Sequence, residues 1–564
     1  MDGKAADAVT AWLSPLSWES AMPQSRAQPE TTSAWSPLRQ PLFRSLWIAS
    51  VASNIGTWMH DVGGVWLMTS LVPSPIMVAL MQTATSLPFF LLALPAGALA
   101  DVVDRRRLLL AMQGWMMAAA AVLGTLTLSG VTTPWSLLAL TFALGLGAAM
   151  NAPAWQAITP ELVPREEVLS AVALNGVGLN LARAVGPALG GFIVAAAGPS
   201  GVFLLNALSC VGVIAVLYRW PRPPRRRALP PEHLIGAMRA GVRFVWHAPA
   251  LRTVLMRAGV FILCGSALWA LLPLIARQEM GLDAVGYGVL LGCLGAGAVA
   301  GAAILPRVRR RVVVDRLAMG ATVIFALVTV ALATVREVTW LCGILFVGGG
   351  AWIALMSSYN AAAQAAAPAW VRARALAVYL LVFQGGMAAG SALWGVVAAR
   401  TGIPTALLVA GAGLLLGLLA ASRYRLAGGA TLDLTPSLHW PQPAVTIEPP
   451  AEHGPVLVTV EYHIEMMHAR DFARAMREVR LERLRDGALR WELFHDSADP
   501  SRYVETFLVE SWVEHLRQHE RVTLADREAE ARARALHRGP TPVAVSHLVA
   551  VRGTAVKNGI ANSE

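Results

Sequence analysis

The chain matches itself when shifted by 204 residues. Gly97 and Ala98, followed by Arg105, Arg106 and Arg107, recur as Gly301 and Ala302 with Arg309, Arg310 and Arg311. Gly145, Pro164, Gly186, Gly191 and Gly198 recur as Gly349, Pro368, Gly390, Gly395 and Gly402. Each copy lies among long apolar runs. Parallel repeats of hydrophobic helices place a shared site between two halves, so the duplication predicts a membrane protein of the transporter type.

Composition agrees. The 564 residues are 55% hydrophobic and 14% charged, where soluble domains average about 45–50% and about 25%. The net charge of +11 does not point to nucleic acid, because the arginines fall in short clusters between apolar runs, where they set topology. Cys210, Cys264, Cys293 and Cys342 sit inside apolar runs without metal-ligand spacing, so no metal is expected. Nor is a cofactor, and no GxxxxGK[ST] loop for ATP occurs.

A crossing needs about 20 mostly apolar residues. Twelve are read, at 45–69, 76–100, 108–130, 135–157, 168–197, 201–219, 251–276, 285–305, 315–335, 339–363, 373–399 and 403–421. The expected class is an all-α membrane protein of two six-helix parallel repeats, with a soluble C-terminal α+β domain. Arg105–Arg107, Arg165, Arg219–Arg227, Arg307–Arg311, Arg372 and Arg374 occupy one set of loops, while the opposite set offers Arg277, Arg336 and Arg400. The positive-inside rule then makes both termini cytoplasmic in a multi-pass inner-membrane protein.

The domain boundaries follow. Residues 1–41 read as a flexible cytoplasmic tail, 42–219 and 251–425 as the two bundles, and 220–250 as a cytoplasmic loop. An amphipathic stretch in that loop, Leu234–Trp246, is expected to lie on the inner membrane surface. Residues 426–454 read as a Pro-rich linker. Residues 455–552 hold 16 of the 35 acidic residues and read as strand 456–464, helix 469–485, strand 488–495, strand 503–510, helix or helices 512–537 and strand 543–551. That order suggests a split βαβ, ferredoxin-like module.

Between residues 45 and 421 eleven acidic residues occur, and Asp61 alone lies deep inside a span. A charge there faces the bundle interior or a wet cavity and marks function. Asp61 shares a helical face with Asn54 and Trp58. Arg183 lies at the matching depth of the fifth span and could pair with Asp61, either as a structural ion pair or in coupling and substrate contact. Gln82, Gln113, Asn175, Asn180, Asn206, Asn360, Gln364 and Gln384 read mainly as interhelical hydrogen-bond partners. Trp58, Trp66, Trp269 and Trp394 either line a cavity or pack; an aromatic cavity with few charges suits amphiphilic substrates.

Gly97-Ala-Leu-Ala-Asp101-Val-Val-Asp104-Arg105-Arg106-Arg107 closely resembles the loop signature after the second helix of the major facilitator superfamily. The resemblance implies a conformational lock in which Asp101, with Asp104, Arg105 and Arg106, faces Arg372 and Arg374 of the other half. Ala182-Arg-Ala-Val-Gly186-Pro187-Ala-Leu-Gly190-Gly191 resembles the antiporter-type fifth-helix signature, with Ala182 in place of the first Gly. Together with Trp491–Asp496, Arg502–Trp512, His515 and His519, these stretches are similar to the transmembrane secretion effector branch, relatives of enterobactin exporters, from about 37 to 552. The resemblance implies export of a siderophore-like or drug-like small molecule by proton antiport, without enzymatic activity. The tail resembles a small dimeric α+β barrel, which implies a cytoplasmic dimerisation or regulatory module, the former giving a homodimer through it. His495, His515 and His519 read as solvated surface histidines. The competing reading is a membrane-anchored enzyme or sensor working through 455–552. Expected partners are thus the bilayer, a small-molecule substrate and protons, without nucleic acid.

Overall fold

The computed structural model describes residues 33, 35–220, 234–368, 370–426, 433–441, 443, 445–447 and 449–551. The first half contains α1 (Pro41–Leu71), α2 (Pro75–Val102), α3 (Arg105–Leu128), α4 (Pro134–Leu162) and α5 (Val168–Arg219). After α6 (Leu234–His247) the second half holds α7 (Pro249–Leu274), α8 (Ala284–Arg309), α9 (Val314–Thr334), α10 (Val338–Ala365), α11 (Arg372–Thr401) and α12 (Ile403–Arg423). Local sequence sets the starts. Proline occupies the first turn of α1, α2, α4 and α7, where its missing N–H costs nothing. Asp104 caps α3 by accepting from the Arg107 N–H at 2.9 Å, and Thr133 with Ser136 closes a capping box on α4.

The duplication is visible in the backbone. Helices α4 and α10 begin 204 residues apart, as do α5 and α11. Helix α5 is a long run broken at Gly198, whose φ of 73° matches the 88° of Gly402 between α11 and α12. Both positions require the left-handed region that glycine enters freely. The halves meet where α2 packs on α11 and α5 on α8, two contacts that the 204-residue shift exchanges.

Among the described residues nine helices, with α5 counted as one, are long and apolar enough to cross a membrane. Helix α1 is not among them, and the apolar part of α12, Ile403–Leu419, is shorter. The expected tail ends earlier than residue 41. Ser36–Arg39 forms a 3₁₀ turn with Ser36 and Pro37 buried, while 1–32 and 34 lie outside the described residues.

The soluble domain runs β1 (Val456–His463), α13 (Ala469–Asp486), β2 (Ala488–His495), β3 (Arg502–Val509), α14 (Trp512–Arg521), α15 (Leu524–Arg534) and β4 (Ala544–Val549). Its sheet is antiparallel in the order β2-β3-β1-β4, so β3 lies between β2 and β1 as a split βαβ requires. Alternation in β1 sends Val456, Val458, Val460 and Tyr462 into the core with Phe472, Met476 and Phe507. Residues 512–537 form two helices, because Thr523 accepts from the Asp526 N–H and starts α15 afresh. The linker is not free: Ser437 and Thr435 hydrogen-bond the chain around Val522 and Leu524, and Trp440 donates to Glu530 at 2.9 Å.

The amphipathic helix α6 departs from expectation. Instead of lying on lipid it packs on α7, α11 and α13. Its Phe244 is 1% exposed, edge-on to Trp370 at 5.9 Å, and Arg243 pairs with Glu514 at 3.3 Å.

His515 and His519 are also not solvated: His515 is 1% exposed and His519 half-buried. Burial lowers their pKa values to about 3 and about 4 respectively. A histidine whose folded pKa is depressed favours folding above its unfolded value near 6.5 and loses that contribution as pH falls. His515 should therefore remove about 1.4 kcal/mol of domain stability per pH unit below about 6.5. Burial raises the carboxyls of Glu482 and Asp486 instead, which opposes this trend. The measurement is therefore the difference between wild type and His515→Gln in hydrogen exchange at 456–463, from pH 7.5 to 5.0. Parallel pH curves would refute the contribution.

Candidate functional site

A cavity of about 770 Å³ lies between the two halves. From α1 it is lined by Trp58, His60 and Asp61, from α2 by Gln82, and from α5 by Asn180 and Arg183. The second half contributes Trp269 of α7, Tyr287 of α8, Trp352 and Asn360 of α10, and Phe383 and Gln384 of α11. Helical spacing explains the α1 contribution, since Trp58 and Asp61 are three residues apart on one face. Asn54, a turn earlier on the same stripe, does not line the cavity.

Asp61 and Arg183 share this cavity but form no ion pair among the described residues. Arg183 instead lies over the Trp58 ring, with its guanidinium carbon 5.5 Å from the centroid, and its buried Nε has no hydrogen-bond partner. The expected pairing is thus absent from this conformation. Arginine keeps its charge in proteins, so the cavity carries a cation that forms no ion pair among the described residues.

Glycines let α5 approach its neighbours. A Cβ on Gly186 would come within 2.5 Å of Trp58 Cβ, and one on Gly190 within 2.9 Å of Met59 Cα. On Gly191 it would come within 2.4 Å of the Ala284 carbonyl oxygen, across the seam between the halves. Pro187 carries the same contact, its carbonyl facing Gly288 of α8. The seam is closed at the ends of α1 and α7: Arg277 donates to Thr69 at 3.0 Å and to the Trp66 carbonyl at 3.3 Å, and Gln278 to the Pro73 carbonyl at 3.1 Å.

Several contacts of the lock residues fall within their own halves. Arg105 pairs with Glu161 of α4 at 2.9 Å, and Arg106 donates to the carbonyls of Leu217 and Tyr218 at the end of α5. Arg372 donates to the Ala367 carbonyl at 3.3 Å, and Arg374 packs under Gly241 of α6. The Gly97 and Asp101 side positions lie outside the described ones. Among the other polar residues, Gln113 meets Asn151 at 3.4 Å and Asn175 meets Thr159 at 3.2 Å, the interhelical role expected. Gln82, Asn180, Asn360 and Gln384 line the cavity instead. Trp394 packs, donating to the Leu263 carbonyl at 2.7 Å.

Sequence reasoning missed His60, buried beside Asp61 with both ring nitrogens unpartnered, and Glu161. His60 carried a signal, an imidazole deep in an apolar run; Glu161 carried none.

The model of the transmembrane secretion effector family matches residues 32–554. The chain belongs to that family. Enterobactin exporter EntS of Salmonella typhimurium is 26% identical over 325 residues, 56% of this chain and 76% of the exporter. The staphyloferrin A transporter of Staphylococcus aureus is 26% identical over 258 residues, 45% of this chain and 64% of the transporter. An uncharacterized MFS-type transporter of Bacillus subtilis, YfiS, is 26% identical over 236 residues, 40% of this chain and 55% of YfiS. The chain thus spans about 55% of YfiS and 64% of the staphyloferrin A transporter.

Solved structures share the fold. A bacterial homologue of the lysosomal transporter Spinster, inward-facing and occupied, aligns with TM-score 0.55 and 15% identity over 69% of this chain and 98% of its own. An inward-facing bacterial homologue of the iron transporter ferroportin aligns at 0.52 and 17%, over 68% and 98%. Residues 32–554 thus belong to the transmembrane secretion effector family, and the fold is the one these solved transporters share. Among the described residues no group of three or more His, Cys, Asp or Glu side chains is placed to hold a metal ion.

Proposed function

We propose that the protein exports an amphiphilic, siderophore-like or drug-like small molecule in exchange for protons, by alternating access across twelve spans with both termini cytoplasmic. The observation that carries this reading is the aromatic cavity at the seam, which holds Asp61 and Arg183 together. Asp61 is the proton carrier in this reading, and Arg183 and Trp58 contact the substrate. Two cargo names among relatives, enterobactin and staphyloferrin A, support the siderophore-like class. The test is accumulation of a panel of aromatic amphiphiles in cells lacking and overexpressing the protein, with and without a protonophore. Lower accumulation that the protonophore abolishes is expected; higher accumulation on overexpression would reverse the direction, and protonophore insensitivity would remove the antiport.

We also assign Asp101 to the conformational lock, as partner of Arg372 and Arg374 in one of the two access states. Asp101→Ala should slow turnover about tenfold, the effect of about 1.4 kcal/mol on one state; an unchanged cycling rate refutes the assignment. A homodimer through the soluble domain is supported by the outer sheet face, where Phe494 and Leu548 are exposed beside Leu457, Val504 and Leu508.

A further inference from the structure

The soluble domain contains a second cavity of about 800 Å³, as large as the one between the halves. It lies over the β1–β4 side of the sheet, on the helix face. Its floor is Val458, Val460, Val545 and His547, its wall Trp512, His515 and His519 of α14, and its roof the linker around Trp440–Pro449. The linker leaves Ile447 84% exposed at this roof, an apolar side chain that water alone would leave unsatisfied.

The charges around this space are already matched. Arg483, stacked between Trp440 at 4.6 Å and Phe507 at 5.2 Å, bonds Glu482, Glu505 and Glu530 at 2.7, 3.1 and 2.6 Å. Arg534 pairs with Glu530 at 3.1 Å. His515 and His519 are uncharged at neutral pH because burial lowers both. An ion entering would lose water and meet no free opposite charge, which is costly. Hydrogen bonding is less complete: the His547 ring has no hydrogen-bond partner among the described residues, though it touches the His515 and Trp512 rings at 4.8 and 6.2 Å. A neutral imidazole offers one acceptor nitrogen.

We propose that this cavity is a ligand site for an uncharged aromatic compound of drug size bearing a hydroxyl or amide donor, and that α14 passes its occupancy to the membrane bundle. A volume in the range of about 300–1,000 Å³, apolar walls and a few convergent polar groups are what such ligands require. The link is geometric. One face of α14 carries Trp512, His515 and His519 into the cavity. The same ten-residue helix carries Glu514, which grips Arg243 of α6 at 3.3 Å. It also carries Arg521, which bonds Glu514 at 2.6 Å and stacks on Trp370, just before α11, at 4.6 Å. Any shift of α14 on filling the cavity is felt where α6 meets α11.

The test uses the full chain in lipid nanodiscs, with 2-naphthol as the probe and hydrogen exchange read by peptide. At ten times the probe's Kd, peptides 440–450 and 544–549 should exchange about tenfold more slowly if their opening releases the ligand, and 241–247 of α6 should slow as well. 2-Naphthalenesulfonate and 2-naphthyltrimethylammonium should protect neither cavity peptide. Val545→Trp, which fills the floor from a half-exposed edge position, should abolish the protection. Glu514→Gln should keep it at the cavity and lose it at α6. Unchanged exchange at 440–450 and 544–549, equal protection by either ion, or protection surviving Val545→Trp overturns the site. Protection at the cavity with none at α6 in the wild type overturns the coupling.

Discussion

Asp61→Asn should lower proton-driven export by about a hundredfold or more, the scale on which loss of a proton-transferring group is felt, while leaving the protein inserted and folded. The argument rests on where the carboxyl sits. It lines the cavity at the seam, and among the described residues it has neither an ion pair nor a hydrogen bond. A carboxylate serving structure would be held by Arg183 or by donors, because an unpaired charge at this depth costs several kcal/mol. Asparagine preserves shape and removes the titrating proton. Insertion should be unaffected or easier, since a polar amide is cheaper in hydrocarbon than an ion. The measurement is substrate-dependent proton movement in sealed vesicles, with membrane yield as the control. Asn54→Ala, on the same helix but away from the cavity, should change transport little. Wild-type coupling in Asp61→Asn would remove the residue from the mechanism.

The fold was legible because its cause is repeated in the chain. Hydrophobic length predicts a helix near each apolar run, and the 204-residue shift predicts that the halves correspond, down to the matched left-handed glycines at 198 and 402. The soluble strands were legible through alternation, as in Val456–His463. Tertiary packing was less so. Leu234–Trp246 has the pattern of a surface-seeking helix, but a protein face covers an apolar stripe as well as lipid does, and nothing in the stripe tells them apart. His515 and His519 fall on a charge-rich segment that suggests solvent, and burial there depends on a linker folding back from residues 440–449. Within the site, Asp61, Arg183 and Trp58 were found because a charge or large ring in an apolar span is conspicuous. Their mutual distance was not, because matching depth along two helices does not fix the rotation of either.

Gly191→Val should shift the protein away from the conformation in which the α1–α7 end of the seam is shut. Helices α5 and α8 cross there backbone to backbone, and a Cβ on Gly191 would come within 2.4 Å of the Ala284 carbonyl oxygen and 3.1 Å of Gly288 Cα. Those atoms belong to main chain and cannot swing aside as a side-chain tip does. Overpacking of this kind costs about 1–3 kcal/mol. A cost near 2 kcal/mol, borne by the closed-seam state alone, changes the ratio of the two access states by about thirtyfold. The contrast is Gly176→Val on the same helix, where an added Cβ meets nothing within 4 Å. Spin labels at Val131, between α3 and α4, and at Thr334, at the end of α9 in the corresponding part of the second repeat, report the separation of the halves. In Gly191→Val the distance distribution should move toward the longer population and transport should fall with it; in Gly176→Val neither should change. A Gly191→Val protein with the wild-type distribution would mean that the crossing opens elsewhere, and the glycine signature of α5 would then be a packing feature of the first bundle alone.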